Sequence, residues 1–128
     1  MSAPVPTVAL QLQVSQARHI DAQGACYVKM KHQGRKYKTA DAMVQSGERW
    51  SESFRLTVPA SGIEPLCIEV YESCDFSGNE LIGKARLAID GWEVGTGSEG
   101  WIPLSKAGEG GMPHNAGQIH VKYIVNTM

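Results

Sequence analysis

The stretch Cys26-Tyr27-Val28-Lys29-Met30-Lys31-His32-Gln33-Gly34-Arg35-Lys36-Tyr37-Lys38-Thr39 decides the fold class. Val28 and Met30 alternate with Tyr27, Lys29 and Lys31, the period of two that a half-buried strand requires. Gln33-Gly34 is a two-residue connection containing glycine, and residues 35–39 return as the second arm of a tight hairpin. Alternation puts Lys29 and Lys31 on one face of the first arm, and Lys36 and Lys38 on one face of the second. If the turn makes these faces coincide, four ammonium groups meet on one side of a sheet.

The same period extends outward in both directions. Val8, Leu10, Leu12 and Val14 alternate with Ala9, Gln11 and Gln13, which predicts a strand over 8–14. Further strands are expected at 50–58, 66–71, 81–89, 100–104 and 118–125, each bounded by Gly, Pro, Asn or Asp. Together with the two hairpin arms this makes eight. Short strands separated by many of the 14 glycines and six prolines, with no capped helical run, indicate an all-β sandwich or barrel. Residues 90–99 read as loop, and the glycine-rich segment 106–117 reads as a mobile connection. No internal repeat, linker or low-complexity segment interrupts the pattern.

A length of 128 residues suits one domain over 1–128, with 42% apolar residues to fill a core. The formal charge of -1 gives no global attraction to nucleic acid or to an anionic membrane. Five of the twelve Lys and Arg residues nevertheless fall between positions 29 and 38, so electrostatic binding is expected from that cluster alone. Three cysteines, Cys26, Cys67 and Cys74, cannot all pair within one chain and show no CxxC spacing, which favours a reducing, cytoplasmic setting. The start, Met1-Ser2-Ala3-Pro4-Val5-Pro6, lacks a signal-peptide pattern, and no segment reaches the roughly 20 apolar residues of a membrane span, so a soluble protein is expected.

Five segments in order resemble a C2 domain over nearly the whole chain. Residues 12–24 are similar to that family's first strand and first loop, leading into Tyr27-Val28-Lys29-Met30. Trp50-Ser51-Glu52-Ser53-Phe54 resembles its Trp-x-Glu-x-Phe. Val70-Tyr71-Glu72 through Leu81-Ile82-Gly83 resembles its third loop and the Ile-Gly beyond, and Trp101-Ile102-Pro103-Leu104 resembles its Trp-x-x-Leu. Gly117-Gln118-Ile119-His120-Val121 looks like its closing strand. The resemblance implies an eight-stranded antiparallel β-sandwich of type II topology, the order found in phospholipase C and the novel protein kinases C. Trp50, Phe54, Trp101 and Leu104 are then expected in the core.

C2 domains hold calcium between loops at one end of the sandwich, where Asp side chains supply most of six to eight oxygens. By resemblance, Asp21 matches one ligand position, but the next falls on Ala25-Cys26-Tyr27-Val28 and has lost its carboxylate. The third-loop positions fall on Glu72, Cys74 and Glu80, with Asp75 out of register. Asp21, Glu72 and Glu80 are therefore residual calcium positions, and tight calcium binding is not expected. Cys26 and Cys74, near His19 and Asp21, are weighed as a zinc or disulfide pair, although such cysteines without motif spacing are usually unliganded.

Many C2 domains use lysines on the corresponding hairpin to hold inositol lipid headgroups or acidic proteins. The resemblance thus implies a non-catalytic, calcium-independent or weakly calcium-binding module, attached peripherally to anionic phospholipid through Lys29, Lys31, Lys36 and Lys38. Lysines on exposed edge strands also serve simply to block aggregation. Ile20 and Phe76 are the expected apolar loop tips, with Met43 and Val44 able to add to them. A protein-interaction or scaffold domain without lipid binding is the alternative, and a calcium-dependent phospholipid sensor is a third. No activated nucleophile or phosphate-cradling glycine loop suggests an enzyme. No cofactor is expected.

Overall fold

The alternating runs pair into one antiparallel ladder. The structure, a computed structural model, describes residues 7–32, 35–50, 52–59, 66–73, 78–87, 95, 97–107 and 113–127. Its strands are β1 Thr7–Arg18, β2 Cys26–His32, β3 Arg35–Lys38, β4 Glu52–Pro59, β5 Leu66–Glu72, β6 Glu80–Leu87, β7 Gly97–Ala107 and β8 Pro113–Asn126, with a 3-10 turn at Val44–Ser46. They pair in the order β3-β2-β5-β6-β7-β8-β1-β4. The β6–β7 joint is a single pair, Lys84 with Ser105, so the ladder divides there into two four-stranded layers. Leu10, Leu12, Val14, Leu56, Ile119 and Val125 from one layer pack with Val28, Met30, Leu66, Ile68 and Val70 from the other in a single core.

Three strands outrun their period-two signal, with bulges that change its phase. β1 continues past Val14: the register shifts between Val14 and Gln16, after which Gln16, Ala17 and Arg18 pair with His120, Ile119 and Gln118. β7 and β8 stay paired as far as Ala107 with Pro113, across a shift between Leu104 and Ser105. Much of the expected mobile connection at 106–117 is therefore strand, and residues 108–112 lie outside the described ones. Gly117 makes this possible. It has φ +108, and a Cβ there would lie 2.6 Å from the Arg18 carbonyl oxygen and 2.8 Å from that of His19. Only glycine lets β8 approach the end of β1 so closely.

Trp50 and Leu104 are buried as expected, and Trp50 Nε1 donates to the Cys26 carbonyl at 2.9 Å. Phe54 is half-buried, edge-on to Tyr37. Trp101 corrects the core expectation. It pairs with His120 while Ile102 pairs with Ile119, so the indole takes the outward side and Ile102 and Leu104 take the inward one. It lies half-buried, with the Arg18 guanidinium 3.9 Å from its ring centroid and the His120 ring against its edge.

Candidate functional site

Pairing between β2 and β3 matches Lys29 with Lys38 and Lys31 with Lys36. Directly opposed residues of an antiparallel pair share a face, so all four lysines lie on the outer side of the first layer. Lys31, Lys36 and Lys38 are exposed and Lys29 is half-buried. Like charges placed directly across a ladder destabilise it. This hairpin carries two such pairs in succession.

The neighbouring strands widen the face. β5 sets Cys67 beside Lys31 and Glu69 beside Lys29, and β6 sets Arg86 beside Cys67 and Lys84 beside Glu69. Two rows result: Lys36, Lys31, Cys67, Arg86, and Lys38, Lys29, Glu69, Lys84. Glu69 Oε2 lies 3.5 Å from Lys84 Nζ and accepts the Tyr71 hydroxyl at 3.3 Å. Above the second row Tyr27 and Tyr71 stack, centroids 5.5 Å apart and planes at 13°. Asn79 Nδ2 donates to the Tyr27 hydroxyl at 2.8 Å, and Lys38 Nζ is 4.2 Å from the Tyr27 ring centroid. Burial, then the charge of Glu69, pushes the Tyr71 phenol above its usual range. Sequence reasoning does not single out Tyr27, Glu69, Tyr71, Asn79, Lys84 or Arg86. Alternation within β5 and β6 marks their parity, but nothing local says that β5 lies beside β2.

At the loop end the described carboxylates of Glu72 and Glu80 have partners within the chain. Glu72 Oε2 accepts the backbone N–H groups of Gln23 at 3.0 Å and Gly24 at 2.5 Å, holding the first loop against the end of β5. Ser73 N donates to the Ala25 carbonyl and Gln45 Nε2 to those of Ala22 and Gly24, so three segments are stitched by hydrogen bonds. Asp21 and Glu80 line a cavity of about 370 Å³ with His19, Lys106 and His114, and Glu80 Oε1 sits 3.8 Å from Lys106 Nζ. Among the described residues no three His, Cys, Asp or Glu side chains converge to hold a metal ion.

Other loop expectations are redistributed. Ile20 is half-buried, packed against the core and close over Gly117. Val44 is buried and Met43 half-buried. Phe76, Cys74 and Asp75 lie outside the described residues. Cys26 is buried, and its thiol is pushed up to about 11, first by burial and then by the nearby Glu72 and Asp41 carboxylates, so it stays protonated at neutral pH. Cys67 is exposed on the basic face. No helix among the described residues is long and apolar enough to cross a membrane.

Compared with known proteins, the sequence matches the C2 domain family over residues 8–104. The chain belongs to the C2 domain family. Among curated relatives, this C2 domain is 25% identical over 93 residues to human Ras GTPase-activating proteins 4B and 4, covering 73% of this chain and 12% of each of theirs. It therefore spans about an eighth of the length of those relatives. Among solved structures, it superposes on a human GIVD cytosolic phospholipase A2 with TM-score 0.77 at 16% identity, over 99% of this chain and 17% of that one. It also matches a C2 domain of a plant extended synaptotagmin 1 with TM-score 0.68 at 16% identity, over 99% and 98% of the two chains. These structural likenesses carry the fold.

Proposed function

We propose that this C2 domain is a non-catalytic, calcium-independent module at the cytoplasmic face of a membrane, meeting anionic phospholipid through the lysine face of β2 and β3. The observation that carries the reading is the pair of like-charged contacts, Lys29 with Lys38 and Lys31 with Lys36. A sheet that opposes four lysines across one ladder accepts a stability cost that an external polyanion would offset. Each lysine close to an anionic leaflet contributes about 1 kcal/mol. Calcium independence is supported by the missing carboxylate at Ala25 and by the engagement of Glu72 with the backbone of the first loop.

Vesicle co-sedimentation in the presence of a chelator tests this. Lys31→Glu with Lys36→Glu should lower binding to phosphatidylserine-containing vesicles by roughly 30-fold or more, taking about 1 kcal/mol for each lost lysine. Unchanged binding, or none by the parent at low salt, overturns the proposal. Saturable calcium binding in a calorimetric titration, with vesicle binding that requires it, would replace it by the calcium-dependent reading.

A second reading, a protein-interaction module, draws on the opposite layer. There the Arg18–Trp101–His120 stack adjoins a groove of about 510 Å³ containing Ile124, the one large apolar side chain exposed among the described residues. A defined protein partner whose affinity survives lysine reversal but is lost with Trp101→Ala would favour it.

A further inference from the structure

We infer that the free edge of β4 is a docking surface for an extended acidic segment of another protein, which adds to the sheet as a further strand. The ladder ends in two strands, β3 and β4, and their edges are built in opposite ways. β3 has four residues, three of them the cations Arg35, Lys36 and Lys38, and a short, charged strand is how natural sheets close an edge. β4 has eight residues, Glu52–Pro59, paired with β1 along their whole length without a shift of register, and its proline stands at the last position. Among the described residues the β4 backbone pairs with β1 and with no other segment. Its other side therefore offers a row of N–H and C=O groups to an incoming chain, the geometry of recognition by strand addition.

The side chains along this edge define the occupant. Ser53, Arg55 and Thr57 are exposed on the outer side of β4, while Leu56 is buried on the inner side. Phe54, also inward, is half-buried and meets Tyr37 of β3 edge-on, centroids 5.8 Å apart, so the two free edges flank one open side of the sandwich. An added strand alternates in the same way, with an apolar side chain extending the Phe54–Tyr37 contact and the next residue placed beside Arg55. Arg55 Nη2 donates to the Thr127 carbonyl at 3.4 Å, and among the described residues no carboxylate pairs with it. A carboxylate on the incoming strand supplies that partner. Two copies joined edge to edge would instead bring two flanks of like charge together, each with Arg35, Lys36, Lys38 and Arg55. The charge of the flank thus selects an acidic chain over a second copy.

The test titrates the parent with a synthetic peptide of about nine residues that alternates Glu and Val, long enough to span β4. Binding should be saturable, and at saturation hydrogen exchange of the β4 amides should slow about fivefold or more while that of the β3 amides is unchanged. Arg55→Glu should weaken binding about fivefold, and a peptide alternating Lys and Val should bind Arg55→Glu more tightly than it binds the parent, which also shows that the variant is folded. Backbone N–H groups of a strand point alternately to its two sides. Of two Glu–Val peptides, one N-methylated at every Glu and the other at every Val, one should therefore bind as the unmodified peptide does and the other should not bind. Absence of saturable binding, equal binding of the two methylated peptides, or a larger loss with Lys31→Glu and Lys36→Glu than with Arg55→Glu overturns the inference, the last by moving the peptide to the lysine face. Protection of the β4 amides that rises with protein concentration alone would give the edge to a second copy and overturn it as well.

Discussion

Glu72 illustrates how one side chain changes role without changing charge. The family resemblance marks it as a residual calcium position, yet its carboxylate caps two backbone N–H groups of the first loop. Hydrogen bonds to charged groups contribute about 1.5–3 kcal/mol, so Glu72→Ala should lower the unfolding free energy in urea by about 1–3 kcal/mol. Glu72→Gln, which keeps an acceptor, should cost less. Cys26 makes a pH prediction. Its thiol is raised from an ordinary value of 9.0 to about 11 in the folded protein. The unfolded chain then loses its proton first, and the stability contributed by the neutral thiol is present below pH 9 and lost as pH rises through 11. Thermal unfolding across that range should fall more steeply for the parent than for Cys26→Ala. An equal slope for the two would remove Cys26 as the cause.

At the level of elements, bulges and glycine contacts hid from the sequence what alternation revealed elsewhere. The inward run Val8, Leu10, Leu12, Val14 is a plain period-two signal, and β1 is found where it predicts. Beyond Ser15 the phase shifts by one residue, and a pattern count stops although hydrogen bonding does not. The hairpin of β7 and β8 reads as loop for a related reason: Gly117 lacks a side chain to declare a face, yet it is there because the Arg18 and His19 carbonyl oxygens leave no room for one. Gly117→Ala should therefore destabilise the domain by about 2–4 kcal/mol, combining a positive φ with overpacking against backbone. Gly100→Ala has nothing within 4 Å of the new methyl group and should stay within about 0.5 kcal/mol of the parent. Chemical denaturation of the two variants checks the contrast, and a mild effect of Gly117→Ala would mean that the end of β1 yields easily.

Over the whole molecule the charge is nearly balanced, at -1, so attraction to a membrane must come from one face and act at short range. Vesicle binding should accordingly fall steeply between about 0.05 and 0.3 M salt as the screening length shortens. Lys122→Glu, in the opposite layer, should leave it within about twofold; an effect as large as that of reversing Lys31 and Lys36 would mean that the field of the whole molecule, rather than the β2–β3 face, governs attachment. The sequence by itself determined that the chain is all-β, that Lys29 and Lys31 share a face of one hairpin arm and Lys36 and Lys38 a face of the other, and that Ala25 lacks a carboxylate. Those features are local: side-chain parity repeats every two residues, and a missing functional group is visible wherever it falls. Only the tertiary structure decided that β5 lies against β2, which brings Glu69 and Tyr71 into the lysine face, that Glu72 closes the first loop, and that Trp101 faces outward. Each depends on which distant strands become neighbours and where a bulge resets the register, and those choices are made by packing across the sandwich rather than by the residues on either side.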